Sequence, residues 1–244
     1  MSRFPFCRIL SALLTLLVTS IPLGAAELPA IKVVTEESFP INYTADSEQK
    51  MTGFATDYLL TVLNMADVNY TINSYTWERS FKIASEEPNV LIYSMARTPE
   101  REENFHWLFE IMTLQYSLYG VQSRRQHFQG AQDFREYQIA LTAGSASLKY
   151  LREDGYNNIV VAKDYEHLDN LIKHDRVDFV ASSKLALTSF MKKYGYHKDT
   201  FSPYKELNYV DIDLYYAMSI ETDVRVVDRL RALLNQQKQH LQLP

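Results

Sequence analysis

Arg101 is the side chain whose setting points most directly to chemistry. It closes the stretch Thr98-Pro99-Glu100-Arg101, which follows an apolar run over 90–93. Thr98 suits an N-cap, Pro99 a first helical position, and Glu100 complements the positive end of a helix dipole. A cation on that first turn works against the dipole. Arg101 is therefore expected to join exposed backbone N–H groups in receiving an anion, most naturally a carboxylate. The same spacing also fits a surface arginine paired with Glu102 or Glu103, a common arrangement that contributes little.

Other segments could line the same cleft. Glu36, Glu37, Ser38 and Phe39 follow an expected strand over 31–35, so they lie at its carboxyl end. Phe39 offers an apolar face to a ligand, or packs as a rim aromatic. Trp77-Glu78-Arg79-Ser80 follows a second strand in the same way, and Arg79 is either a second cation at the mouth or a surface residue. Gly144-Ser145-Ala146-Ser147 opens a later helix. Its N–H groups and Ser145 could hold an anion from the opposite side, or simply cap that helix.

Signatures of catalysis are missing. The sequence has no G-x-S-x-G, Walker-type phosphate loop, G-x-G-x-x-G or H-E-x-x-H, so no enzyme is expected. His106-Trp107 follows the arginine segment, and Trp107 is expected to pack beneath the predicted helix. His127, His167, His174, His197 and His240 stand in polar surroundings without metal-ligand spacing. Neither a metal nor a cofactor is expected.

The elements that must position these residues follow from periodicity. Residues 31–35 read as a strand, and 54–66 as a helix with Tyr58, Leu59, Val62, Leu63 and Ala66 on one face. Strand 68–75, helix 77–84 and strand 90–93 complete a βαβαβ unit, the pattern of a mostly parallel sheet. A second unit runs through strand 138–142, the helix after Gly144, strand 159–161, a helix with Leu168, Leu171 and Ile172, strand 177–181 and helix 184–193. Residues 114–121 and 214–219 are strand-like crossings, and 224–239 is a last amphipathic helix. The expected fold is α/β with two lobes joined by a two-stranded hinge. Lobe 1 would hold 27–116 and a return at 217–244, and lobe 2 would hold 117–216. Ligands in such folds sit between lobes, near strand carboxyl ends.

Composition narrows the setting. The 244 residues are 46% hydrophobic and 23% charged, ordinary for a globular chain with a sizeable core. Residues 1–26 have a basic start at Arg3 and Arg8, an apolar middle, and Gly24-Ala25-Ala26 before Glu27. That is the plan of a secretory signal peptide. Its removal leaves 23 basic against 30 acidic side chains, a net charge of −7, and takes away Cys7, the single cysteine. An exported chain without disulfides must rely on its core. The acidic balance argues against nucleic acid as a partner. A periplasmic monomer is expected.

With these segments in order, the chain resembles the bacterial extracellular solute-binding proteins of family 3, the periplasmic receptors of polar amino acid ABC transporters. The resemblance rests on Ile31-Lys32-Val33-Val34-Thr35-Glu36, Phe39-Pro40, Gly53-Phe54-Ala55-Thr56-Asp57, Thr98-Pro99-Glu100-Arg101-Glu102 and Val177-Asp178-Phe179-Val180. Trp77-Glu78-Arg79 beside Arg97-Thr98 is similar to a divergent proteobacterial branch. The resemblance implies a type II periplasmic-binding-protein fold, each lobe a mostly parallel sheet flanked by helices. It also implies a ligand α-carboxylate on Arg101, helped by the backbone near Ala96 and the Gly144-Ser145 turn. It further places a ligand ammonium at Glu36, an aromatic cover at Phe39, and delivery to an inner-membrane permease.

Three positions depart from the family pattern. Ser183 replaces the usual second-lobe aspartate that receives the ammonium, Ala96 replaces a serine or threonine, and Arg97 is an extra cation. A more acidic or amine-free ligand becomes plausible. The rival readings are a periplasmic enzyme of the cyclohexadienyl dehydratase type, with Glu36 as general acid, and a ligand-sensing module for a membrane receptor.

Overall fold

The computed structural model describes residues 28–45, 50–123, 128 and 133–240. The expected signal segment 1–26, with Cys7, and His127 lie outside the described residues.

The first unit begins with β1 (Ile31–Thr35) and continues through α1 (Phe54–Ala66), β4 (Tyr70–Ser74), α2 (Trp77–Glu86) and β5 (Val90–Ala96). A short hairpin of β2 (Tyr43–Ala45) and β3 (Lys50–Thr52) precedes α1. Helix α1 follows from the apolar spacing, which buries Tyr58, Leu59, Val62, Leu63 and Ala66. Gly53 admits it: with φ of 113°, a Cβ there would meet the Ile41 carbonyl oxygen at 2.5 Å. Asp67 ends the helix in the left-handed region, a conformation its short polar side chain tolerates.

The second unit holds β7 (Ile139–Thr142), α3 (Ser147–Glu153), β8 (Ile159–Ala162), α4 (Tyr165–Lys173), β9 (Phe179–Ser183) and α5 (Lys184–Tyr194). Two long strands, β6 (Phe105–Val121) and β10 (Phe201–Ser219), run antiparallel through both units. The sheet order is β4-β1-β5-β10-β6-β9-β7-β8. Three parallel strands at each end belong to one lobe, and the central antiparallel pair joins them. Helix α6 (Val224–Gln236) returns to the first lobe, burying Val226, Val227, Leu230, Leu233 and Leu234 beside α1. The Tyr216 hydroxyl, fully buried, donates to the Ala55 carbonyl at 2.7 Å and ties β10 to α1.

Two expectations change. No α-helix forms after Thr98; residues 99–101 make a turn and Glu102–Asn104 a single 3-10 turn before β6 begins. Strand pairing claims the chain from Phe105 onward, so the segment left is shorter than the run a helix needs to repay its nucleation. Trp107 lies on β6, and its indole N–H donates to the Glu102 carbonyl of that short turn at 3.2 Å. Both crossings are also longer than expected. Within β10, Leu214, Tyr215 and Tyr216 pair with Ala96, Met95 and Tyr93 of β5.

Candidate functional site

The first-lobe wall is built at the ends of β1 and β5. Thr35 Oγ1 donates to the Tyr93 carbonyl at 3.1 Å and accepts from Asn42 Nδ2 at 3.0 Å. Asn42, fully buried, also accepts from Ser94 Oγ. Ser94 is the extra residue of a β-bulge, because β10 steps from Met95 to Tyr93 between Tyr215 and Tyr216. Its φ of 57° is costly for a residue with a Cβ, and bulges of this kind re-aim side chains beside binding sites. Here the bulge turns Ser94 into the interlobe cavity.

Arg101 enters that cavity from the turn after β5. Its N–H donates to the Thr98 carbonyl at 3.0 Å, and Nη1 donates to the Ala96 carbonyl at 3.0 Å. The guanidinium lies 4.9 Å from the Trp77 ring centre and 5.1 Å from that of Phe81. Burial depresses its pKa from the ordinary value, with Glu100 opposing the shift. Among the described residues it has no ion-pair partner. Such a half-desolvated cation, already oriented by one hydrogen bond and two aromatic faces, is prepared for an incoming carboxylate.

Glu36, next after β1, lines the same cavity. Water reaches its carboxyl, but the surrounding protein displaces enough solvation to push its pKa up to about 7, with the Glu78 charge adding to the effect. The second lobe supplies Gly144, Ser145 and Ala146 from the β7–α3 turn, Tyr116 from β6, and Tyr165 from the start of α4. Burial raises the Tyr165 phenol to about 12, helped by the nearby Glu36 charge. Burial also raises Tyr116, and a hydrogen bond with Ser145 partly reverses that shift. The Ser145 and Ser147 hydroxyls are 2.7 Å apart.

The lobes touch on both sides of this cavity. Lys149 forms an ion pair with Glu100, and Ser189 Oγ donates to the Phe39 carbonyl. The cavity has a volume of about 150 Å³. It opens beside a 380 Å³ space lined by Trp77, Arg101, Lys149 and Arg152. A 400 Å³ space lies near Phe39, Tyr43 and Lys192.

The structure brings Glu36, Trp77, Ala96, Arg101, Gly144 and Ser145 into one cavity. Phe39 lines the neighbouring space instead, packed on Tyr43 with ring centres 4.8 Å apart. Three expected residues fall elsewhere. Arg79 is exposed and stacks on Tyr75 at 4.2 Å, because two positions along α2 from Trp77 is the far side of the helix. Arg97 follows Ala96 in extended backbone and so faces away from the cavity. It pairs with Glu102 through Nε at 2.8 Å, between Trp107 and Tyr215, in a separate groove. The partner considered for Arg101 thus serves Arg97. Ser183 is buried as the N-cap of α5, accepting the Ala186 N–H at 3.2 Å.

Ser94, Tyr116 and Tyr165 were not among the expected site residues. A serine inside the buried run of β5 was the one visible hint; the tyrosines are legible only through topology. His106 bonds the Ile220 carbonyl through Nε2 at 2.9 Å, away from the cavity. Among the described residues no group of three or more His, Cys, Asp or Glu side chains could hold a metal ion.

The sequence pattern of the bacterial extracellular solute-binding proteins, family 3, matches residues 31–198. No curated protein matches the chain. Among solved structures, a substrate-binding protein of a Streptococcus pneumoniae ABC uptake transporter with bound histidine aligns at a TM-score of 0.71 and 14% identity, covering 86% of this chain and 87% of that one. A histidine kinase sensor domain with similarity to periplasmic binding proteins aligns at 0.70 and 12%, covering 88% and 93%. The ancestral amino acid-binding protein AncCDT-1, a precursor of cyclohexadienyl dehydratase, aligns at 0.68 and 15%, covering 86% and 89%. At these identities the likeness is one of fold.

Proposed function

We propose that this chain, which belongs to the bacterial extracellular solute-binding proteins of family 3, reversibly captures a small carboxylate-bearing, amino-acid-like solute between its two lobes. It acts as a monomer in the periplasm and hands the solute to an inner-membrane ABC permease. One observation carries the reading: Arg101 points into an interlobe cavity without an ion-pair partner among the described residues. A solute carboxylate there would meet the guanidinium on one lobe and the Gly144-Ser145 turn on the other. Contacts with both lobes favour the closed arrangement, and exclusion of water strengthens the charge pair. Calorimetry with amino acids and their amides tests this. Acids bind and the matching amides do not; equal binding of the two series rejects the reading.

Glu36 supports a second reading, an enzyme of the cyclohexadienyl dehydratase type. A carboxyl pushed up to about 7 is suited to donating a proton at neutral pH. Release of the dehydrated product from a cyclohexadienyl acid by wild-type protein, lost in Glu36→Gln, would support it. Silence at high protein concentration retires it.

A further inference from the structure

The 400 Å³ space beside the Arg101 cavity has features that solute capture at Arg101 alone does not use. Its walls come from both lobes: Phe39 and Tyr43 on one side, Phe190, Lys192 and Lys193 of α5 on the other. Ser38, Tyr165 and Ala186 line this space and the Arg101 cavity alike, so the two meet at those residues. Phe39 is 37% exposed, one of the few large apolar side chains left open to water. The Lys192 ammonium sits 4.7 Å from its ring centre.

Size argues that the two spaces work together. The Arg101 cavity, at about 150 Å³, is below the ~300–1,000 Å³ of ordinary small-molecule sites. Joined to the 400 Å³ space it enters that range, as it would with the 380 Å³ space on the Lys149 side.

We propose that the space between Phe39, Tyr43 and α5 is a second subsite, taking an aromatic group at the far end of an elongated acid whose carboxylate is held by Arg101. The subsite rests on the carboxylate reading given above. The distal ring leaves the Arg101 cavity between Ser38 and Tyr165 and packs against the rings of Phe39 and Tyr43, which supply the offset faces aromatic groups prefer. Lys192 and Lys193 set the sign of what is tolerated there. Glu37 lines the same space, but its carboxylate accepts from the Thr44 hydroxyl, and two ammonium groups outnumber it. A ligand tipped with its own cation is disfavoured, and a neutral or acidic ring is accepted.

The test uses calorimetry on wild-type protein and two variants that alter only the second space, Tyr43→Ala and Lys192→Glu. The probes are phenyl-terminated carboxylic acids of increasing chain length, with and without a 2-amino group. Alkyl acids of matched length and L-arginine complete the set. Wild type binds the best phenyl acid about tenfold or more tighter than its alkyl match, as burial of a ring predicts. Tyr43→Ala removes that preference and leaves the alkyl acids within about twofold, the range of a change that does not touch their contacts. Lys192→Glu raises the affinity for L-arginine relative to the phenyl acids. Binding of acids without a phenyl preference, or equal losses for phenyl and alkyl acids in Tyr43→Ala, overturns the subsite and leaves the Arg101 reading standing. Binding of no acid by wild type overturns both. Each variant's unfolding midpoint, measured without probe, separates a lost contact from a lost fold.

Discussion

Gly144 lies directly against the Trp77 indole: a Cβ at position 144 would stand 2.8 Å from Trp77 Cδ1. The two residues belong to opposite lobes, so this contact exists only when the lobes are shut. Gly144 also has a φ of 76°, which residues with a Cβ adopt at a cost.

Gly144→Ala is therefore expected to oppose closure twice, by strain in the turn and by collision with the indole. Ligand affinity falls about tenfold or more, in line with the ~1–3 kcal/mol such strain costs. Calorimetry gives the affinity, and small-angle scattering with ligand reports a larger radius than wild type.

Arg101→Ala removes the cation beneath the proposed carboxylate. Truncating one member of a buried, hydrogen-bonded charge pair costs roughly 2–5 kcal/mol of binding. The side chain bonds only the Ala96 carbonyl among the described residues, so the fold survives. Calorimetry against wild type measures the loss, and unchanged affinity rejects the role.

Glu36 makes stability depend on pH in a definite direction. Its folded pKa of about 7 lies above the ordinary 4.5, so the folded chain favours the protonated form. The contribution is fully present below about pH 4.5 and is lost as pH rises through about 7. Glu36→Gln should remove this trend, so the gap between the two unfolding midpoints changes across that window. A gap independent of pH contradicts the shift. An ammonium ligand placed beside Glu36 should also release a proton near neutrality, seen as a binding heat that varies with the buffer.

Leu230→Ala tests the return helix. Leu230 is fully buried between α6 and the first-lobe core, and a leucine truncated in such a place costs about 2–5 kcal/mol. Denaturant unfolding measures it. Affinity of the folded fraction stays unchanged, because the residue is remote from the cavity.

The order of strands and helices was legible wherever periodicity was strong. Residues 54–66 are a helix with the predicted buried face, because five apolar side chains at three- and four-residue spacing have only one way to share a core. The segment after Thr98 misled for the opposite reason. Cap chemistry there was favourable, but the long pairing of β6 with β10 is a tertiary effect that local signals do not register. At the site, Arg101 was singled out by the dipole of a helix that does not form, and the turn after β5 brings it to the cavity all the same. Tyr116 and Tyr165 were not legible, since each reaches the cavity only through the placement of β6 and α4 in the other lobe. Arg97 and Arg101 look equivalent in sequence. Glu102 holds Arg97 in the groove beside Trp107 and Tyr215, while the turn after β5 carries Arg101 into the cavity.

Strands β6 and β10 have a consequence for biogenesis. The second lobe draws on one continuous stretch from the later half of β6 to the start of β10, whereas the first lobe stays incomplete until α6 docks on α1. During vectorial synthesis the later-encoded lobe can therefore consolidate first, while the earlier one waits with the α1 face that α6 will cover still bare.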